Sequence, residues 1–108
     1  MLEISPAKVV HIIYQSREGG MAEREVREFI RNLNEDEQVH LVALAWIGRG
    51  VYEAADFADA AATARAERSA PTERYLLGMP HLAENLEAGL EAMGVDVSAE
   101  EEDFLRDH

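Results

Sequence analysis

N-E-D-E-Q-V-H-L-V-A-L-A-W-I-G-R-G, from Asn34 to Gly50, is the stretch on which the fold turns. Asn34 stands where a helix N-cap would, Glu37 follows at the spacing of a capping box, and Asp36 favours the positive end of the helix dipole. Val39, Leu41, Val42, Ala43, Leu44, Ala45, Trp46 and Ile47 then surround a helix axis on every side. A helix that is apolar all round must be covered by neighbours or by a partner. Leu41, Leu44, Trp46 and Ile47 are therefore the candidate core and interaction residues.

Upstream, Ser5 followed by Pro6 is a cap and a first-turn proline, and Val9, Val10, Ile12 and Ile13 give a broad apolar face that ends at Gly19-Gly20. Between Ala22 and Leu33 the apolar positions Val26, Phe29, Ile30 and Leu33 recur at helical spacing, with Arg24, Arg27 and Arg31 along another side. Downstream, an alanine-rich helix is expected from about Glu53 to Arg68, ended by Pro71. Thr72 can cap a short helix through Tyr75, Leu76 and Leu77 that stops at Gly78. Pro80 is expected to open a further helix with the stripe Leu82, Leu86, Leu90 and Met93. Strand signals are absent, because the two apolar runs that could compete both follow helix caps. The expected fold is all-α, a compact bundle of five or six short helices around a central apolar helix. Residues 1–97 form the helical domain and 98–108 an acidic tail.

At 108 residues the chain suits one domain and should bury roughly two-thirds of the surface exposed by its unfolded form. With no cysteine, disulfides, thiolate zinc sites and a cysteine nucleophile are excluded. Met1 to Ile13 resembles neither a signal peptide nor a spanning helix, so a cytoplasmic location without membrane association is expected. Acids outnumber bases 22 to 10, and the net charge of −12 repels phosphate backbones, which speaks against nucleic acid as a partner. From His81 to His108 nine acids face Arg106 alone. In the tail, Ser98 and Glu101 repeat the capping-box spacing before Phe104 and Leu105, so a last short helix is one reading. Folding back of residues 98–107 on Arg24, Arg27 and Arg31 is another, and a solvated end a third.

The segments D-E-Q-V-H-L-V-A-L-A-W-I-G-R-G and Y-L-L-G-M-P-H-L-A-E-N-L-E-A-G-L, in that order, resemble a bacterial family catalogued as domain of unknown function 3775, over about Ile4 to Gly94. The resemblance implies no activity. Val51 stands after Gly50 where such sequences usually carry an acid.

Three constellations compete as sites. Gly48, Arg49 and Gly50 offer bare backbone and a guanidinium for a carboxylate or phosphate. Their structural alternative is a helix end in which Gly48 turns left-handed and Arg49 binds last-turn carbonyls or nearby acids. Glu37 and His40 have the E-x-x-H spacing of carboxylate-bridged metal centres, yet only one copy exists and Glu37 already serves a cap. No cofactor is expected. Ser5, Ser16, Ser69 and Ser98 form no catalytic pattern with the histidines. The reading that follows is a non-enzymatic interaction domain with a protein partner or a second copy of itself. The alternatives are a small-ligand or metal-dependent enzyme near Arg49, and a helix-turn-helix regulator, against which the apolar central helix and the acidic charge both argue.

Overall fold

The structure, a computed structural model, describes residues 2–18 and 22–97, and all regular secondary structure among them is helical. Six α-helices follow one another: α1 Pro6–Glu18, α2 Ala22–Arg31, α3 Glu35–Arg49, α4 Phe57–Ala66, α5 Thr72–Leu77 and α6 Leu82–Ala92, with a 3-10 turn Ala54–Asp56 leading into α4. The tail from Ser98 onward, with its expected cap and its expected docking, lies outside the described residues.

α3 begins as its sequence dictates. The Asn34 side chain accepts from the Glu37 N–H at 2.8 Å, and the Glu37 carboxylate accepts from the Asn34 N–H at 2.9 Å, closing the capping box. Its end differs from expectation by two residues. Gly48 remains helical, and Gly50 is the left-handed residue, at φ 86°. The Gly50 N–H donates to the Ile47 carbonyl and the Val51 N–H to the Trp46 carbonyl, the paired bonds of a Schellman turn.

Gly48 is kept for another reason: closeness. A Cβ at Gly48 would run into the backbone of Asn85 on α6, and a Cβ at Gly89 of α6 would run into the backbone of Leu44. Leu44 and Gly48 are one helical turn apart, as are Asn85 and Gly89, so the two helices cross antiparallel with a glycine from each against the other's main chain. α3 makes its most extensive contact here, and α4 covers a second side. α6 in turn packs on α1, α1 on α2, and α2 on α5, which returns to α3. The centre of the molecule is thus the α3–α6 pair.

Leu41, Leu44, Leu86 and Leu90 are fully buried between these two helices and their neighbours, together with Ile12, Ile13, Val26 and Ile30. Gln38, also buried, sends its amide into the end of α2, donating to the carbonyls of Ile30 at 3.0 Å and Leu33 at 3.1 Å. The Ile30 carbonyl, which also accepts from the Leu33 N–H, lies in the last turn of α2, where helix carbonyls run out of intrahelical partners, and Leu33 lies just beyond it.

Two other boundaries moved. Thr72 is the first residue of α5, buried, with Pro71 in the cap position. α6 starts at Leu82 and not at Pro80, because His81 takes a left-handed conformation (φ 59°) that a helix cannot include. The alanine-rich helix is likewise shorter than its composition suggests, spanning only Phe57–Ala66.

The close crossing yields a measurable expectation. Gly48→Ala and Gly89→Ala should each lower the free energy of unfolding by roughly 1–3 kcal/mol or more, the cost of forcing added volume into a packed contact. Gly78→Ala, whose Cβ would make only ordinary van der Waals contacts, should change it little. Urea denaturation followed by circular dichroism checks all three. Equal effects at Gly48 and Gly78 would remove the close crossing as the organising contact.

Candidate interaction surface around Trp46

The Schellman turn at the end of α3 has a consequence for the surface. By reversing the chain at Gly50, it brings Tyr52 back over Trp46, and the two rings stack with centroids 5.9 Å apart and an interplanar angle of 20°. From the other side, Tyr75 of α5 accepts a hydrogen bond from the Trp46 indole N–H at 2.8 Å. Sequence reasoning places Trp46 in the core. In the structure Trp46 packs against the core but is half-buried, its indole N–H meeting a hydroxyl partner between α3 and α5.

Tyr75 and Val51 are the two large apolar residues that remain exposed among the described residues, at 42% and 58%. At Tyr75 a cleft of about 180 Å³ opens between α3, the end of α4 and the start of α5. Val39, Val42, Trp46, Ala64 and Tyr75 supply its apolar walls, and Glu67 and Arg68 stand at its edge. Arg68 is held there by a hydrogen bond to the Gln38 side-chain oxygen and an ion pair with Glu35 at 3.6 Å. Arg65 pairs with Asp36 at 2.7 Å and with Glu35 at 3.7 Å. The acidic first turn of α3 is thereby bound to the last turn of α4. A cleft of this volume is smaller than the roughly 300–1,000 Å³ of small-molecule sites, and it suits one apolar side chain.

The other sequence candidates lie elsewhere. Gly48 lies half-buried against α6, Arg49 is exposed at the last turn of α3 without an ion pair among the described residues, and Gly50 serves the turn. None of the three lines this cleft. A larger cleft of about 490 Å³, between the end of α1 and the start of α6, is equally remote from them. It holds the buried Gln15 Oε1 and Ser16 Oγ, which have no hydrogen-bond partner among the described residues.

Glu37 and His40 are engaged in different places. The second Glu37 oxygen receives the Lys8 ammonium at 2.6 Å, which joins α1 to the head of α3. That hydrogen bond, with the cap bond from Asn34 and against the opposing cost of desolvation, holds the Glu37 carboxyl below the ordinary glutamate range. The His40 Nδ1 accepts from the Glu3 N–H at 2.9 Å, and its ring meets Phe57 edge-on at 4.8 Å. Burial pushes the His40 pKa down, away from 6.5. Among the described residues no group of three or more potential ligands is arranged to hold a metal ion. No described helix is long and apolar enough to cross a membrane.

The sign of the His40 effect fixes a pH window. Because folding lowers its pKa, the folded state binds fewer protons than the unfolded chain, so stability is fully present above about 6.5 and is lost as pH falls through the folded value. NMR titration should find the His40 imidazole titrating below 6.5. His40→Gln should flatten the decline in unfolding free energy between pH 7 and the folded pKa, relative to the unsubstituted chain. An imidazole titrating at or above 6.5 would contradict the buried acceptor.

The arrangement of α2 to α6, with its aromatic cleft, is also the part of the chain that family comparison recognises. No curated protein and no solved structure matches the chain. One family model does match, over residues 23–95; it leaves out α1 although Val9, Val10, Ile12 and Ile13 are integral to the core, and is narrower than the span from Ile4 suggested by the sequence blocks. Since that match covers most of the 108 residues, the chain belongs to the family described as "Protein of unknown function (DUF3775)".

Proposed function

We propose that this domain is a non-enzymatic protein-binding module whose contact surface is the aromatic cleft lined by Trp46 and Tyr75, with Tyr52 stacked on Trp46. The observation that carries this reading is the exposed Tyr75 and the half-buried Trp46 lining one opening of side-chain size, with Tyr52 stacked on the Trp46 ring. Tyrosine and tryptophan are the residues that most often dominate binding energy at protein interfaces, since they supply large area with few rotatable bonds.

A second copy of the chain is disfavoured as the partner. Two molecules each carrying −12 repel one another over the whole approach, whereas a basic protein is drawn in by the same field. The residues from which a homodimer seam could be expected, Leu41 and Leu44, are enclosed within one chain by α6 and its neighbours. The partner is accordingly a basic protein segment that presents one apolar side chain to the cleft, with basic residues on either side.

Selection of peptides from a random display library against the full chain tests this. Selected peptides should combine an apolar anchor with flanking Lys or Arg and should change Trp46 fluorescence on binding. Tyr75→Ala should weaken them about tenfold or more, while leaving the circular dichroism spectrum intact. Peptides that bind the Tyr75→Ala chain with unchanged affinity would overturn the assignment. Concentration-dependent dimerisation abolished by Val51→Asp would transfer the surface to self-association.

A further inference from the structure

The charge on this protein is distributed against its own excess. Although acids outnumber bases by more than two to one, Arg24, Arg31, Arg49 and Arg74 make no ion pair among the described residues. Lys8, Arg17, Arg65 and Arg68 are all taken by acids from other elements. Two of the four unpaired arginines, Arg31 of α2 and Arg74 of α5, line one groove of about 620 Å³. Arg27, whose only ion pair among the described residues is a solvent-exposed one with Glu23 at 3.6 Å, lines it too. Glu23 and Glu73 leave the lining with an excess of one positive charge, and Leu77 and Pro71 give it an apolar wall.

We infer that this groove between α2 and α5 is the docking site of the chain's own acidic segment, Glu100-Glu101-Glu102-Asp103-Phe104-Leu105. Charge and order of residue types agree. Four consecutive carboxylates meet three guanidinium groups, and the apolar pair Phe104 and Leu105 follows directly for the wall of Leu77 and Pro71. Arginine suits this task, since its planar fork pairs with carboxylates in two-bond geometry. The course of the chain agrees as well. The antiparallel crossing of α3 and α6 carries the end of α6 toward the start of α3, and Asn34, at that start, follows Arg31 by only three residues. Leu105, eight residues after Val97, can lie at most about 26–29 Å from it, the larger part of the greatest extent of the molecule, 36 Å. Ion pairs of this exposed kind are weakened by salt, so the docked segment is displaced as ionic strength rises and leaves the three arginines open to other acidic groups.

The absence of cysteine permits a clean test on the full chain. A nitroxide attached at His108→Cys should broaden the amide signals of Arg27, Arg31, Arg74, Leu77 and Gly78 in the 15N-labelled protein at low salt. In 1 M salt, where the Debye length is about 3 Å, that broadening should be lost. Replacing Arg27, Arg31 and Arg74 together by Gln should abolish it while the remaining resonances keep their positions, which shows that the fold is retained. Broadening that is absent at low salt, that falls on another face, or that survives the triple replacement would overturn the inference. So would broadening seen only when spin-labelled chains without 15N are mixed with unlabelled-spin 15N chains, because that result places the segment on a neighbouring molecule.

Discussion

The approach of two backbones, α3 and α6, is the constraint on which the rest of this structure depends. Gly48 and Gly89 remove the side chains that would hold those helices apart, and each lets the partner's main chain into the space. Everything else is arranged around that crossing. Leu41, Leu44, Leu86 and Leu90 reach full burial because the two helices that carry them are so near. α1 reaches the core by packing on the outer side of α6, and α4 by packing on the far side of α3. A helix apolar on every side is normally a liability in water. Here it is enclosed by its own chain, which makes the segment from Val39 to Ile47 a structural centre and leaves only His40 and Trp46 of it half-buried.

The polar residues at the head of α3 divide between the same structural work. Glu37 closes a cap and holds Lys8, Gln38 ends α2 and holds Arg68, and His40 receives the Glu3 N–H. These bonds run to α1, to the end of α2 and to the segment just after α4, so one turn of helix fixes three neighbours. A carboxylate and an imidazole with metal-site spacing are consumed by this task, each in its own direction. Buried polar groups that are fully satisfied specify a unique packing more than they add to stability. That is the reading we attach to Gln38, which is deeply buried and bonded at both ends of its amide.

Once these residues are accounted for, two surfaces stand out against an acidic exterior. One is aromatic, built on the turn that follows α3; the other is basic, built where α2 and α5 meet. They differ in what they would recognise. The aromatic cleft offers shape and apolar area to a single side chain, and the basic groove offers charge to a run of carboxylates. Both draw on α5, a helix of only six residues. Tyr75 lies on its cleft side and Arg74 on its groove side, so adjacent residues serve opposite surfaces.

Sequence alone determined the helical class, the capping box at Asn34, the apolar central helix and the amphipathic face of α2, because each depends on spacing within one segment. The same local logic misplaced the role of Gly48 and left the outward edge of Trp46 unread. Read within its own helix, Gly48 looks like a terminator; its function comes from Asn85, thirty-seven residues later, and a single chain carries no mark of that encounter. Trp46, read by periodicity, belongs inside, and only the arrival of Tyr52 by a left-handed turn and of Tyr75 from α5 shows why it stays at the edge. Gln38 was likewise silent, since an amide in a helix reveals its partners only when the end of another helix is laid against it. Patterns close in sequence decide which elements form. Contacts between residues far apart decide which of their faces remain open, and the surfaces available for function follow from those contacts.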